Sequence, residues 1–295
     1  MFIKRLINFL QFQYIIGKRK IKYLILKLKA KSDSLAKEVQ GSKMCLDLKD
    51  KGIATDLALD GIREPKSTKM IQRILRKDDV VVDIGANIGY YALMEARLVG
   101  KRGKVYAIEP SPRNLDSLKN NIKLNNYENI ETYQIGIGDK EGIIKMYLSP
   151  YSNLNSLILL KNRKIIDIIN IRVTTLDNFL KNKKYPDLIR MDVEGYEYRI
   201  IKGMRNTLQA KKPLKLFIEL HPHIMKKKQT IYVLKTLMTH SFEVKKVTRS
   251  FTMPEMKVKS RNEFDFSSNT IRDLLKDEAI ISGKKGAFEI FFERK

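Results

Sequence analysis

Cysteine is almost absent from this sequence, which has Cys45 alone among 295 residues. One cysteine excludes an intramolecular disulfide framework and an all-cysteine zinc or iron–sulfur site. It also excludes the iron–sulfur cluster that one class of radical enzymes binds through three cysteines. A chain without disulfides fits a reducing compartment, so we expect a cytoplasmic protein.

Acidic residues are also scarce. The 33 Asp and Glu residues face 58 Lys and Arg residues, which gives a formal net charge of +25 at pH 7 and a pI of about 9.9. Such a charge attracts nucleic acid, acidic lipid head groups or phosphorylated glycans, although lysines can also simply solvate an ordinary surface. Hydrophobic residues make up 43% of the chain, which is enough for a sizeable core and excludes global disorder.

Long hydrophobic runs are missing from the basic N-terminal segment. The uncharged stretch Leu6–Ile16 is shorter than the roughly 18 residues that a bilayer span requires. No small-residue cleavage site follows it, so a signal peptide fits poorly. Residues 18–31 alternate lysines with apolar residues in an amphipathic pattern. This pattern predicts either peripheral contact of residues 1–31 with an anionic membrane surface or packing of the apolar side on the main domain.

The composition divides the chain into three parts. We assign residues 1–40 to a basic amphipathic extension, residues 41–68 to a small β preface, and residues 69–295 to the main domain, in which residues 250–285 form a variable excursion.

The preface has two short apolar segments, Met44–Leu48 and Ile53–Leu59, on either side of a turn at residues 50–52. This arrangement predicts two antiparallel strands. The main domain then continues with a different pattern.

From residue 69 onward, short apolar runs alternate with segments of helical periodicity. A helix is predicted over residues 88–98, and Ser111 and Pro112 suit the N-cap and first turn of the next helix. Alternation of this kind predicts an α/β fold with a mostly parallel sheet and helices on both faces. The predicted strands are Val80–Ile84, Val105–Ile108, Ile130–Ile137, Leu188–Met191 and Leu216–Leu220, with Phe242–Val247 and Ala287–Phe292 as closing strands.

A glycine-rich turn follows the first of these strands. Gly85 and Gly89 flank Asn87 directly after Val80–Ile84, and a strand, a glycine turn and a helix in this order place a ligand at the carboxyl edge of a sheet. The Gly-x-x-x-Gly spacing differs from that of dinucleotide-binding folds, which disfavours an NAD-dependent oxidoreductase. Glycines let the backbone approach a ligand closely, and Asp83 suits an ammonium group.

Glu109 ends the second strand, about twenty residues after the glycine turn. A carboxylate at this position can accept hydrogen bonds from both hydroxyls of a ribose. A ligand with an ammonium group and a ribose but no phosphate is S-adenosylmethionine (SAM). The two motifs together therefore predict a SAM site formed by Asp83, Gly85, Asn87, Gly89 and Glu109.

Two carboxylates follow the predicted strand Leu188–Met191. Asp192 and Glu194 leave its carboxyl end, and burying both is costly without a proton, a cation or a hydrogen-bonded partner. We place them at the active site. The alternative is a helix N-cap combined with a salt bridge to Arg190 or Arg199.

The end of the next strand carries further titratable groups. Glu219 and His221 share one face of an extended strand, and His223 follows Pro222. We place Glu219 and His221 in the pocket, with a carboxylate–imidazole hydrogen bond or a surface position as the alternatives.

These motifs together resemble the FkbM-type methyltransferases, SAM-dependent O-methyltransferases with the class I, Rossmann-like fold and a seven-stranded sheet. The likeness covers about residues 44–247. Arg190 departs from the family pattern, which usually has lysine there, and the N-terminal forty residues lie outside it. The matching elements are Asp83–Tyr90, Glu109–Pro110, Asn120, Leu124–Asn125, Thr175–Asp177, Asp192–Gly195 with Glu197, Lys202–Gly203 and Glu219–His221, preceded by Gly61–Glu64.

The resemblance implies SAM contacts at Asp83, Gly85, Asn87 and Glu109, and an acceptor side near Asp192 and Glu219. It also implies methyl transfer to a hydroxyl group, on a sugar or glycan, a lipid-linked compound or a natural product.

A hydroxyl is a poor nucleophile, so a base should remove its proton as the new bond forms. The candidates are Asp192, Glu194, Glu219 and His221. We favour His221 paired with a carboxylate, because an imidazole has an unperturbed pKa near 6.5. Our prediction includes no metal. A competing hypothesis has Asp192, Glu194 and Glu219 bind magnesium or calcium, which would lower the pKa of the hydroxyl.

Two other functions remain open. The positive charge would suit an RNA ribose 2′-O-methyltransferase or another nucleic-acid methyltransferase, although the sequence lacks the Asn/Asp-Pro-Pro-aromatic motif of enzymes that methylate exocyclic amines. A non-catalytic protein of the membrane surface is the remaining alternative.

Overall fold

The computed structural model describes residues 2–30, 32–250, 270–284 and 286–295. In chain order its elements are α1 (Phe2–Lys29), β1 (Ser34–Val39), β2 (Ser42–Asp47), α2 (Ile53–Asp60), α3 (Pro65–Ile74), β3 (Val80–Ile84), α4 (Tyr90–Val99), β4 (Lys104–Ile108), α5 (Pro112–Leu124), β5 (Ile130–Tyr133), β6 (Gly136–Gly138), β7 (Gly142–Leu148), a short 3₁₀ turn (Ser152–Leu154), β8 (Asp167–Thr175), α6 (Leu176–Leu180), β9 (Leu188–Met191), α7 (Glu197–Lys202), α8 (Arg205–Gln209), β10 (Leu214–Leu220), α9 (Lys227–Thr239), β11 (Glu243–Arg249), α10 (Ile271–Lys276), α11 (Glu278–Ile281) and β12 (Phe288–Arg294).

Seven strands form the central sheet, in the order β11-β12-β10-β9-β3-β4-β5. The five strands from β10 to β5 run parallel, and β12 pairs antiparallel with both β10 and β11. The predicted strands 80–84 and 188–191 coincide with β3 and β9. The predicted α/β fold class with a mostly parallel seven-stranded sheet is confirmed.

Helices cover both faces of this sheet because its strands are apolar on both sides. On one face Val81 of β3 joins a buried cluster with Leu93 of α4 and Leu115 of α5. On the other face Val82 joins a second cluster with Ile200 of α7. Successive side chains of a strand point to opposite faces, so β3 contributes to both halves of the core.

The order of the strands reverses beside β3. The chain passes from β3 to β4 and β5 on one side, and then continues with β9 and β10 on the other. A crevice forms at such a reversal, beyond the carboxyl ends of the parallel strands. Gly85, Glu109, Asp192 and His221 each follow directly after one of these strands, so the fold gathers them at one edge.

A second, three-stranded sheet with the order β6-β8-β7 lies after β5. The prediction of a single strand over Ile130–Ile137 is wrong, since β5 ends at Tyr133 and β6 pairs with β8 instead. Strand β8 lies close to the backbone of Gly136, and the chain leaves the central sheet here to pair with it. A Cβ atom on Gly136 would lie 3.0 Å from the side chain of Ile171, so a glycine is what this pairing accommodates.

The preface differs from its prediction. Its hairpin pairs β1 with β2 and begins at Ser34, inside the segment that we assigned to the extension. The predicted strand Ile53–Leu59 is wrong, because this segment is helix α2. Its buried residues are spaced as on one face of a helix: Ile53, Ala54, Leu57 and Ala58.

Helix α1 lies against the preface through the C-terminal part of its length. Tyr23, Leu26 and Ala30 pack on the buried cluster of the first sheet face. Within the described ranges, none of the helices combines the length and the hydropathy that a membrane span needs. Of the predicted excursion, residues 251–269 lie outside the described residues, and α10 and α11 follow them.

Candidate functional site

The glycine turn after β3 closes on its two neighbouring strands. The N–H groups of Gly85 and Ala86 both donate to the carbonyl oxygen of Ile108, at 2.9 and 3.0 Å. Gly85 has φ of +87°, and a Cβ atom there would lie 2.1 Å from the carbonyl oxygen of Asp192. The turn therefore fits only a glycine, and this contact holds the ends of β3, β4 and β9 together.

The turn borders a narrow cleft, which we call the glycine-turn cleft. Its wall includes Gly85, Asn87 and Glu109 of the predicted cofactor residues. Gly89 lies elsewhere: its missing side chain makes room for Leu118 of α5, 2.6 Å from a Cβ atom placed on this glycine. Gly89 thus has a packing role in this structure, and its contact with the ligand stays a prediction.

Glu109 is held rigidly at the wall of the cleft. One of its carboxylate oxygens accepts from the N–H of Asn87 and the other from the N–H of Ser111, both at 2.9 Å. Ser111 is the N-cap residue of α5, but its hydroxyl makes no capping hydrogen bond. Burial raises the pKa of Glu109 to about 7. The side chain of Asn114 also hydrogen-bonds this carboxyl group. A carboxylate has about four lone-pair sites, so it can still accept from a ligand hydroxyl.

The two ends of the cleft differ in character. Pro110, Ile135 and Ile137 form an apolar slot beside Glu109. The opposite end carries Arg190 and Asp192. The cleft thus offers a flat apolar surface, a hydrogen-bond acceptor and a charged end in sequence.

Asp83 lies beneath this cleft rather than on its wall. It is fully buried, and its carboxylate pairs with the guanidinium of Arg190 at 3.0 Å. Arg190 also reaches Asp192 at 3.3 Å and stacks on the ring of Tyr91 at 3.8 Å. The structure thus shows no direct route from Asp83 to the wall of the cleft, and its contact with a ligand ammonium stays a prediction. The guanidinium occupies the position between the two carboxylates and makes Asp83 a support for Arg190.

His221 is oriented by a buried carboxylate. Its Nδ1 lies 2.7 Å from Oε1 of Glu197, and both side chains are buried. A carboxylate accepts, so Nδ1 carries a proton, and when the ring is neutral the lone pair lies on Nε2. Nε2 faces Glu219 at 3.7 Å.

A cluster of three side chains surrounds this nitrogen. A carboxylate oxygen of Asp192, one of Glu219 and a ring nitrogen of His221 all lie within 4.8 Å of one another. Burial disfavours an imidazolium, but the adjacent Glu197 outweighs this, and the pKa of His221 lies well above its usual value. Burial and the charge of Asp192 raise the pKa of Glu219 well above its usual value as well. His221 and Glu219 therefore hold their protons to a higher pH than the free side chains do.

Glu194 belongs to a different pair. Its backbone has φ of +51°, and its carboxylate accepts from Arg163 at 2.9 Å. The sequence analysis proposed a cation site of Asp192, Glu194 and Glu219. The structure does not bring these three side chains together as one cluster. His221 takes the place of Glu194.

The alternative salt bridge of the sequence analysis is present for Asp192, which pairs with Arg190, but not for Glu194. Arg190 pairs with Asp83 and Asp192, and Arg199 pairs with Asp139 at 2.7 Å. The ring of His223 lies 5.7 Å from that of His221, but His223 is exposed.

Three residues of the site were not assigned from the sequence. Glu197 orients His221, Arg63 lines the cleft from the preface, and Asn114 donates to the carbonyl oxygen of Ser152 above the cleft at 3.1 Å. The position of Glu197, two residues after Gly195 in an acidic motif, was the available signal for the first. Arg63 lies in the matching element Gly61–Glu64, although no role was assigned to it, and nothing in the local sequence marks Asn114.

A family model described as "Methyltransferase FkbM domain" matches residues 83–267. Among curated proteins, the hexuronic acid methyltransferase AglP of Haloferax volcanii is 26% identical over 157 residues, which are 50% of this chain and 61% of that protein. A protein-L-isoaspartate O-methyltransferase of Archaeoglobus fulgidus is 38% identical over 66 residues, 22% of this chain and 30% of its own length. The matches thus span less than two thirds of these relatives.

Solved structures include similar chains. A SAM-dependent O-methyltransferase from Thermotoga maritima has a TM-score of 0.42 and 15% identity, with 79% of this chain and 66% of that chain covered. Trm5b from Pyrococcus abyssi has a TM-score of 0.47 and 11% identity, with 89% and 56% covered.

Proposed function

Because this chain belongs to the FkbM methyltransferase family and is a SAM-dependent methyltransferase, we propose that it methylates an oxygen atom of a saccharide. The observation that carries the proposal is His221, which Glu197 orients so that Nε2 faces Glu219. His221 and Glu219 do not line the cleft themselves, but they cluster with Asp192, which does. A base at this position suits an acceptor that must lose a proton from oxygen.

The cleft fits the cofactor in three respects. The apolar slot of Pro110, Ile135 and Ile137 suits a flat adenine ring. The lone pairs left on Glu109 suit ribose hydroxyls, and Arg190 with Asp192 suits the charged amino-acid end. When bound, SAM supplies an electrophilic methyl group. Its sulfur would leave as a neutral thioether, so no acid is needed.

The side chains of this protein then align and deprotonate the acceptor. Holding the acceptor oxygen in line with the methyl group can contribute roughly 7–11 kcal/mol. His221 accepts the proton at Nε2 while Glu197 stabilises the resulting imidazolium. Glu219 and Asp192 border the same space and orient the acceptor hydroxyls.

The saccharide acceptor is supported by similarity. The relative that matches half of this chain is named a hexuronic acid methyltransferase. A cationic protein with a net charge of +25 suits an acidic sugar, since opposite charges favour encounter. An RNA ribose hydroxyl would satisfy the same charge argument and is the second candidate.

The test is an acceptor screen with isotope-labelled SAM, offering uronic-acid glycosides, neutral glycosides and transfer RNA. We expect label in the saccharides as an alkali-stable methyl ether. An alkali-labile product would identify a carboxylate oxygen as the acceptor. Label in RNA alone, or no affinity for S-adenosylhomocysteine in calorimetry, would contradict the proposal.

The role of His221 is tested with His221→Ala, for which we expect kcat to fall about 10²–10⁴-fold without a change in the affinity for S-adenosylhomocysteine. Because the pKa of His221 is raised, kcat of the unmodified enzyme should increase with pH above neutrality, and this increase should disappear in the variant. His223→Ala, in the same segment, serves as the control and should keep both properties.

A chelator should leave the rate unchanged. Loss of activity that magnesium restores would instead assign Asp192, Glu219 and His221 as ligands of a cation, and the base would then be another group.

A further inference from the structure

A second cavity, of about 770 Å³, lies between α1 and the turn that follows β2. We call it the α1 cavity. Arg63 and Asn153 line both this cavity and the glycine-turn cleft, so the two adjoin. A molecule in the α1 cavity would therefore reach the charged end of the cleft, where the acceptor must meet the methyl donor.

The wall of the α1 cavity carries an excess of positive charge. Its cationic side chains are those of Arg19, Lys20, Lys27, Lys49, Lys51 and Arg63. The acidic side chains number three, Asp50, Asp56 and Glu64.

The acidic side chains of the wall are already engaged. Asp50 accepts from the N–H and the hydroxyl of Ser152 at 2.9 and 2.8 Å. Asp56 pairs with Arg19 at 2.6 Å, and Glu64 pairs with Arg63 at 2.6 Å. In the parts of the chain that the structure describes, Lys20 and Lys51 have no carboxylate partner. The cavity thus offers its spare positive charge to an anion.

The same wall is apolar on the side of α1. Ile16 and Leu24 line the cavity together with Leu48 and Leu154. Leu24 is 58% exposed. Its neighbours on the helix surface, Ile21 and Leu28, are 61% and 74% exposed. An apolar strip therefore leads from the cavity along the outside of α1, whose 28 residues include no Asp or Glu.

Helix α1 is fixed in this position by polar contacts. Arg19 pairs with Asp56 and Asp60 of α2. The hydroxyl of Tyr23 donates to the carbonyl oxygen of Leu48 at 3.0 Å. The helix outside the family pattern is thus a wall of a cavity that opens toward the reaction site.

We propose, on the basis of the proposed function, that the α1 cavity binds the methyl acceptor and that this acceptor is an anionic amphiphile. It has a saccharide head group with a carboxylate or phosphate, which Lys20 and Lys51 bind, and an apolar chain, which follows Leu24 along α1. The head group enters past Arg63 toward His221.

Three related probes separate the two parts of this recognition. Octyl β-D-glucuronide carries both the charge and the chain, octyl β-D-glucoside lacks the charge, and methyl β-D-glucuronide lacks the chain. We expect calorimetry on the full chain, loaded with S-adenosylhomocysteine, to show octyl glucuronide binding at least about tenfold more tightly than either of the others, or about 1.4 kcal/mol.

Variants assign the binding to the cavity. Lys20→Gln with Lys51→Gln should lower the affinity for octyl glucuronide about tenfold and leave the affinity for octyl glucoside unchanged. Leu24→Gln should lower the affinity for octyl glucuronide and leave the affinity for methyl glucuronide unchanged. The matched control is Lys123→Gln with Lys228→Gln, which removes two exposed charges that do not line the cavity.

Equal affinity for the three probes, or no effect of the Lys20 and Lys51 substitutions, would overturn this inference. Binding of S-adenosylhomocysteine without any glucuronide binding would reject the inference alone. Failure to bind S-adenosylhomocysteine would reject the proposed function instead.

Discussion

Glu109 shows how one residue can be fixed before its ligand arrives. Two backbone N–H groups hold its oxygens, so the side chain has little conformational freedom to lose on binding. Its burial raises the pKa to about 7, which makes its charge sensitive to pH near neutrality.

We therefore expect the affinity for S-adenosylhomocysteine to fall as the pH is lowered from 8 to 6. With a pKa of about 7, about one tenth of the carboxyl is ionised at pH 6, and the protonated form loses an acceptor for a ribose hydroxyl. Calorimetry should show an affinity up to about tenfold lower at pH 6.

Glu109→Gln is the matched variant. It should bind S-adenosylhomocysteine about ten- to hundredfold more weakly, in line with the about 1.5–3 kcal/mol of a hydrogen bond to a charged group, and without this pH dependence. If the variant keeps the same dependence on pH, another group is responsible.

Asp83 illustrates what a residue type alone leaves undecided. Its place after an apolar strand predicted a carboxylate at the site, and the structure has one there. Whether it meets a ligand or a neighbour depends on Arg190, which is 107 residues away in the chain.

At the scale of elements, the turn between β3 and α4 determines the geometry of the site. Gly85→Ala would place a Cβ atom 2.1 Å from a backbone oxygen at a φ of +87°, and backbone atoms cannot move aside like a flexible side chain. We expect a loss of roughly 2–4 kcal/mol in the free energy of unfolding, measured by urea denaturation, together with weaker cofactor binding.

Gly17→Ala in α1 is the opposite case. A Cβ atom there has nothing within 4 Å, and alanine is favoured over glycine inside a helix by about 0.5–1 kcal/mol. This variant should be as stable as the unmodified protein or more so. Equal effects of the two substitutions would show that the turn is not under the constraint described.

The elements themselves were predicted unevenly. The strands of the parallel sheet were found because they are buried on both faces and so form continuous apolar runs. Helix α2 and strand β6 were missed. Short apolar segments do not distinguish helix from strand, and the break after Tyr133 depends on the pairing of β6 with β8.

At the scale of the whole molecule, buried carboxyl groups should govern the dependence of stability on pH. Burial raises the pKa of Asp83, Glu95, Glu109, Glu219 and Glu289, that of Glu289 to about 8. Such groups hold their protons to a higher pH in the folded protein than in the unfolded one. The stability they contribute is complete below the unfolded pKa, near 4.3 for Glu, and is lost as the pH rises through the folded value.

We thus expect the urea midpoint of the ligand-free protein to fall steadily from pH 5 to pH 8. Glu95 is the clearest contributor: it is fully buried, and within the described residues both of its carboxyl oxygens are without a hydrogen-bond partner. Glu95→Gln should reduce the slope by up to about 1.4 kcal/mol per pH unit. Glu128→Gln, at an exposed position, should leave the slope unchanged, and parallel curves for all three proteins would refute this explanation.

The family, the fold class and the location of the site at the carboxyl edge of the sheet could all be predicted from contiguous segments of the chain. Local apolar periodicity and the residues that follow each strand are properties of contiguous segments, and parallel strands bring their ends to the same edge. The tertiary structure decided which of the predicted residues meet one another. Asp83 pairs with Arg190, and Glu194 pairs with Arg163. Glu197 contacts His221, and α1 forms one wall of a cavity. These outcomes depend on distances between segments far apart in the chain, which no local pattern encodes.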